Sequence, residues 1–289
     1  MSSHNSYGMS KNVKDRRSPA PGEVDEYDTS AMRVLDDGPR QADPLLLIHG
    51  TAASAAWWDP VLPALAERHR VIRVDLAGHG GSPPAPSYDV SRQAGRVAAV
   101  LDDLGASPVV AIGHSSGGYV ATALAELRPG LVSAIALINT GPSLAAFLPQ
   151  PALLRVLSAP PLGRIAWSLR SDAMIRRGLG TAFTREVDIP ADLVAAVRGM
   201  TYGAFRMAPL RLSAYLAERA LPARLADLDV PVLVIFGADD RRWDGSSAHA
   251  YDVVPNARVE MLPGVGHTPM FEAPAATSAL LLDFAATRV

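Results

Sequence analysis

The chain has 289 residues, 27 basic against 29 acidic, and no cysteine. This near-balance of charge favours neither nucleic acid nor an anionic membrane as a partner, and the lack of thiols excludes disulfide scaffolds, thiolate zinc sites and cysteine nucleophiles. No apolar run approaches the ~20 residues that cross a bilayer, and a chain of this length buries a large, dry interior within one domain carrying an insertion.

The first 28 residues, "MSSHNSYGMSKNVKDRRSPAPGEVDEYD", are polar and rich in Ser, Pro and charge. They lack the apolar stretch of a secretory signal, so a disordered leader over 1–28 and a cytoplasmic address are expected. The basic cluster at 14–17 reads as solvated. From Asp43 onward short apolar runs alternate with helical patterns. Strands are predicted at 44–50, 70–76, 108–113 and 132–139, with helices at 57–69, 90–105 and 117–127. Continuous Val/Ile/Leu runs, rather than strict alternation, predict strands covered on both faces. The fold class is therefore α/β: three layers around a mostly parallel sheet with right-handed crossovers.

The rhythm breaks over 141–221, where Leu, Ala, Met, Arg and several prolines suggest short helices and no buried strand. Strands resume at 230–237 and 257–263, and a helix near 272–286 closes the chain. One sheet domain, 29–140 with 222–289, is thus interrupted by a helical insertion. No internal repeat, metal constellation or phosphate loop appears, so no cofactor is implied, and the sequence does not set an oligomeric state.

"GHSSG" joins the strand at 108–113 to the next helix. Gly113, Ser115 and Gly117 fit G-x-S-x-G, whereas the frame of Ser116 would need glycine where His114 stands. Small flanks let a strand turn directly into a helix, holding the tip residue strained and its hydroxyl exposed at the C-terminal edge of the sheet. Ser115 is the candidate nucleophile, and Ser116 supplies a backbone N–H at a helix start that favours negative charge. A serine needs a base, and the base needs an orienting group. Of the seven histidines, His267 in "LPGVGHTPMFEAP" lies past the last strand on the edge where Ser115 emerges. For the acid, "VLVIFGADD" offers Asp240 first and Asp239 second, with Asp75 a weaker third. In "LIHGTAAS" the amide of Thr51 can face the same point as that of Ser116, making a second oxyanion donor.

With "HGT", "DLAGHGGS", "GHSSGG", "GADD" and "GVGHTPMFEAP" in order, the chain from about residue 31 resembles an α/β-hydrolase-fold protein. The resemblance implies Ser115 as nucleophile, His267 as general base and then acid, Asp240 as the holder of the imidazole, and 141–221 as a helical cap over the site. Serine at the elbow argues against the dehalogenase and epoxide hydrolase branches, which need a carboxylate there. Two departures stand out. "RRWDG" follows the acid where relatives often carry an aliphatic residue and proline, and Thr51-Ala52 replaces an aromatic and proline beside the nucleophile.

The implied reaction is hydrolysis of an ester, lactone or thioester of a small apolar or aromatic molecule through an acyl-enzyme. Carbon–carbon hydrolysis, cofactor-free perhydrolysis and ligand binding without turnover stay open. Candidate pocket residues are Trp57, Phe147, Trp167 and Met270, each with core packing as the competing explanation. Trp58, Leu144, Leu153, Leu154, Met174 and Met207 are further apolar candidates. The cap arginines Arg164, Arg170 and Arg176 suit either a substrate carboxylate or a solvated helix face.

Overall fold

A computed structural model describes residues 32–149 and 159–287. The leader and the expected cap residues Leu153 and Leu154 lie outside the described residues. Seven strands form one sheet in the order β1-β3-β2-β4-β5-β6-β7. They are β1 (Val34–Asp37), β2 (Pro44–Ile48), β3 (Arg70–Val74), β4 (Val109–His114), β5 (Val132–Ile138), β6 (Val232–Gly237) and β7 (Ala257–Leu262). All neighbours run parallel except β1, which is antiparallel to β3. Apolar side chains alternate to the two faces, so Leu46, Ile48 and Ile72 enter one core cluster while Leu45, Leu47 and Val71 enter the other. A strand buried on both faces carries no polar alternation, which is why these segments are continuous apolar runs.

Helices α1 (Leu62–Ala66), α2 (Val90–Leu104) and α3 (Ser116–Leu127) follow the first strands. Helix α2 buries Val97, Val100 and Leu101 and stops at Gly105, whose φ of 59° is left-handed. The helix expected at 57–69 is instead a 3-10 turn, Ala55–Trp58, followed by the short α1. Pro60 and Pro63 lie at the break, and proline has no N–H to continue a helical ladder. Strand β1 was not foreseen either. Its "VLDD" lacks an apolar signature because Asp36 and Asp37 bind Arg70 and Arg73 of β3 at 2.9 and 2.8 Å.

Between β5 and β6 the described residues contain helices and no strand. These are α4 (Leu162–Ser168), α5 (Asp172–Gly180), α6 (Ala191–Gly199), α7 (Tyr202–Glu218) and α8 (Leu221–Ala226). The first four form the helical cap insertion, whereas α8 places Leu221 and Leu225 in a core cluster of the sheet domain. A third cluster ties the cap to the sheet domain: Ile175, Leu179, Phe183 and Leu193 pack on Ala53 and Trp57. The described residues close with α9 (Pro269–Glu272) and α10 (Pro274–Ala286), the latter being the closing helix expected near 272–286. No helix among the described residues is long and apolar enough to cross a membrane.

Candidate active site

Strand β4 delivers Ser115 at its C-terminal end and α3 starts one residue later. Ser115 has φ 51° and ψ −119°, a conformation that L-residues rarely adopt. The flanking glycines are required by contact. A Cβ on Gly113 would lie 2.4 Å from the Gly118 nitrogen, and one on Gly117 would lie 2.1 Å from the Ile48 carbonyl oxygen. The tip is clamped from below, since the Ser115 amide donates to Ile138 at 2.8 Å and Thr140 Oγ1 donates to the Ser115 carbonyl at 3.0 Å.

The three side chains expected to converge do so. His267 Nε2 lies 3.1 Å from Ser115 Oγ, and His267 Nδ1 lies 2.8 Å from Asp240 Oδ2. The Asp240 side chain is fully buried and that of His267 is 6% exposed, which excludes the water that would otherwise compete for these bonds. With Asp240 accepting at Nδ1, that nitrogen carries the proton and Nε2 is left to accept from the serine hydroxyl. Burial alone would push the Asp240 carboxyl up. The His267 ring beside it, and hydrogen bonds from His267, Asn139 and the Arg242 amide, outweigh burial and hold it below the ordinary carboxylate value.

The competing acids are placed elsewhere. Asp239 is exposed, whereas Asp240 beside it is buried. Asp75 is buried but organises a turn, accepting from the amides of Ala55 and Gly81 and from Arg33. Two other histidines hold the surrounding loops. His49 Nε2 accepts from the Leu76 amide, so Nδ1 carries its proton and donates to the Gly50 carbonyl at 2.7 Å. That bond turns the Gly50 carbonyl away and sends the Thr51 amide in the opposite direction, because a trans peptide points its C=O and N–H oppositely. His114 Nε2 donates to the His267 carbonyl at 2.8 Å, steadying the histidine loop, and burial lowers its imidazole to about 3.

Two residues the sequence did not single out shape the site. Asn139, at the end of β5, donates from Nδ2 to Asp240 Oδ2 at 2.7 Å and to the Gly266 carbonyl at 3.1 Å. Glu272 is buried beneath the histidine loop, accepting from the amides of Gly266 and Thr268 and from those of Thr184 and Arg185 in the cap. Asn139 has one sequence signal, as asparagine is enriched at the left-handed φ it adopts, 45°. Glu272 has none beyond its place in "FEAP".

A cavity of about 710 Å³ opens above Ser115. Trp57, Phe147 and Trp167 line it, as do Thr51, Ser116, His267 and Met174. Trp57 is 4% exposed and stacks 6.0 Å from both His114 and Phe183, so it serves wall and core together. The expectation for Met270 is corrected. It is fully buried in the cluster with Trp58, Leu281 and Phe284, because α9 turns this side chain into the sheet-facing core, away from the cavity. Trp58 is likewise core. Of the three cap arginines only Arg170 reaches the cavity.

A serine at a strained strand–helix junction, hydrogen-bonded to a histidine that is itself bonded to a buried aspartate, defines a hydrolase of the Ser–His–Asp type. Residues 45–280 match the family model described as "Alpha/beta hydrolase family", and the chain belongs to that family. A curated relative from Neisseria meningitidis, a pimeloyl-[acyl-carrier protein] methyl ester esterase, is 30% identical over 252 residues, covering 85% of this chain and 94% of the relative. Among solved structures, a hydrolase from Pseudomonas aeruginosa is 27% identical with a TM-score of 0.71, covering 88% of this chain and 93% of that one. An N-acyl homoserine lactonase superposes with a TM-score of 0.74, covering 89% and 93%; at 22% identity it is similar in fold.

Proposed function

We propose that the protein hydrolyses an ester-type bond, in a carboxylic ester, lactone or thioester, of a small molecule with an apolar or aromatic portion. The observation that carries this reading is the unbroken relay from Ser115 through His267 to Asp240, at 3.1 and 2.8 Å, on the floor of a mostly apolar cavity. Ser115 Oγ attacks the carbonyl carbon as its proton passes to His267 Nε2. The carbonyl π-electrons move to oxygen, which becomes an oxyanion. Two amides are suited to receive that charge. The Ser116 amide opens α3, where the first N–H groups have no helical partner, and the Thr51 amide makes no hydrogen bond among the described residues.

Collapse of the tetrahedral centre expels the alcohol or thiol, which takes the proton from Nε2. A water then gives its proton to Nε2 and attacks the acyl carbon, and the acid leaves as the proton returns to Ser115 Oγ. Asp240 keeps the ring oriented and offsets the imidazolium charge in both halves.

Fluorophosphonate labelling with mass mapping tests the assignment. The expected label is on Ser115, and Ser115→Ala should abolish labelling and p-nitrophenyl ester turnover together. Labelling that persists in the alanine variant moves the nucleophile elsewhere. A ligand-induced rise in Tm with no product over many hours would make the protein a binder.

A further inference from the structure

The cavity over Ser115 is walled chiefly by apolar and aromatic side chains, and the described lining residues include no aspartate or glutamate. Two arginines do reach it, and their circumstances differ. Arg170 is committed to the cap. Its Nη1 donates to the Trp167 carbonyl, its Nη2 donates to the carbonyls of Val197, Arg198 and Met200, and the guanidinium lies 4.0 Å over the Trp167 ring. Those last carbonyls close α6, and an arginine there caps a helix C-terminus.

Arg242 is much less committed. It belongs to "RRWDG", the segment after the acid that departs from the common pattern. Its backbone amide donates to Asp240 Oδ1 at 2.7 Å, while its guanidinium makes one hydrogen bond, from Nη2 to the neutral Thr181 Oγ1 at 3.0 Å. It forms no ion pair among the described residues. Desolvation lowers the guanidinium from its ordinary value even though Asp240 acts in the opposite direction. A partly buried cation with unspent donors, facing an apolar cavity, favours an anion whose geometry matches its planar fork.

We infer that Arg242 anchors a carboxylate on the substrate, so that the cleaved molecule is an acidic ester with an apolar or aromatic body and a free carboxylate. The inference rests on the ester-hydrolase reading for its chemistry, though not for the binding itself. Two competing roles for Arg242 are to balance the Asp240 charge and to latch the cap through Thr181. Either would affect neutral and acidic substrates alike.

Two acyl chains of equal length separate these roles, p-nitrophenyl hydrogen glutarate and p-nitrophenyl valerate. In the wild-type protein the acidic ester should have the higher kcat/KM. Arg242→Leu should lower the acidic-to-neutral ratio by roughly tenfold, through KM, the size expected when one charge-assisted bond is lost. Arg242→Lys should restore part of that ratio. Equal losses on both esters, or an unchanged ratio, overturn the anchor role.

Calorimetry gives a readout without turnover. Ser115→Ala protein should bind monomethyl glutarate more tightly than methyl valerate, and adding Arg242→Leu should erase the difference. Equal affinities for the two ligands in the Ser115→Ala protein overturn the proposal. Should Ser115 take no fluorophosphonate and neither ester be cleaved, the hydrolase reading fails, and the calorimetric comparison still decides the role of Arg242.

Discussion

Asn139 Nδ2 donates at 2.7 Å to Asp240 Oδ2, the same oxygen that faces His267 Nδ1 at 2.8 Å. Asn139 Oδ1 also accepts from the Gly237 amide at 3.2 Å, so one side chain fixes the acid, the end of β6 and, through Gly266, the histidine loop. Its left-handed φ means that alanine would add backbone strain to the loss of the amide. Asn139→Gly removes the amide without that strain. That variant should lose about 1–3 kcal/mol of stability, because buried groups lose their partners. Its kcat/KM on a p-nitrophenyl ester should fall on the order of tenfold, the equivalent of about 1.4 kcal/mol. Urea denaturation and steady-state rates check the two effects separately. A stability loss with full activity would mean that backbone contacts alone hold Asp240.

This residue marks the limit of what the sequence discloses. Ser115 and His267 were legible because their chemistry requires a local pattern: glycines that let the backbone pass within van der Waals contact, and a loop beyond the last strand. The choice of Asp240 over Asp239 rested on its fourth place in "GADD" and is decided by burial, a property of the folded loop. Asn139 and Glu272 act through partners remote in sequence, Asn139 across 101 positions to Asp240 and Glu272 across 88 to Thr184, and no local spacing reports such pairs. Strand β1 was hidden because its stability comes from Asp–Arg pairing with β3. Met270 was misplaced because an apolar residue three positions from His267 can face either the cavity or the core, and only the direction of α9 decides which.

The pH dependence of stability has a specific source in the turn after β3. Burial, with the nearby His49 second, lowers the His79 imidazole from 6.5 to about 3. Its Nδ1 donates to the Ala77 carbonyl, and its Nε2 is buried with no hydrogen-bond partner, so a second proton would place an unpaired charge in the interior. Between about pH 3 and 6.5 the unfolded chain therefore binds more protons at this residue than the folded one. Stability rises with pH across that window, is complete above it, and falls on acidification by about 1.4 kcal/mol per pH unit for each such group. His79→Asn retains a donor for Ala77 without the titration. Urea denaturation at about pH 4.5, 5 and 5.5 should give a shallower slope for the variant, by nearly one proton. Parallel lines would show that folded His79 takes up its proton as readily as the unfolded chain does.

The cap and the catalytic loop share a single buried carboxylate. Glu272 Oε2 accepts from the amides of Thr184, Arg185 and Gly266 at 2.9, 3.0 and 3.1 Å, and Oε1 accepts from the Thr268 amide and hydroxyl at 3.3 and 3.1 Å. Gly266 and Thr268 flank His267, so the carboxylate holds the backbone on both sides of the base. Arg185 completes the clasp, donating from Nε to the Gly264 carbonyl and from Nη1 to that of Glu272. In Glu272→Gln one acceptor oxygen becomes a donor nitrogen that faces other donors, which should cost about 1–3 kcal/mol. Glu272→Leu leaves every one of these amides unpaired and should cost more. Because the loop that carries His267 loosens, kcat should fall while KM changes little, and cleavage by protease near residues 184–185 should accelerate at temperatures well below Tm. Rates measured far below each variant's Tm separate positioning from folding. Full kcat in folded Glu272→Gln would show that His114 and Asp240 hold the base without help, leaving Glu272 as an anchor for the cap alone.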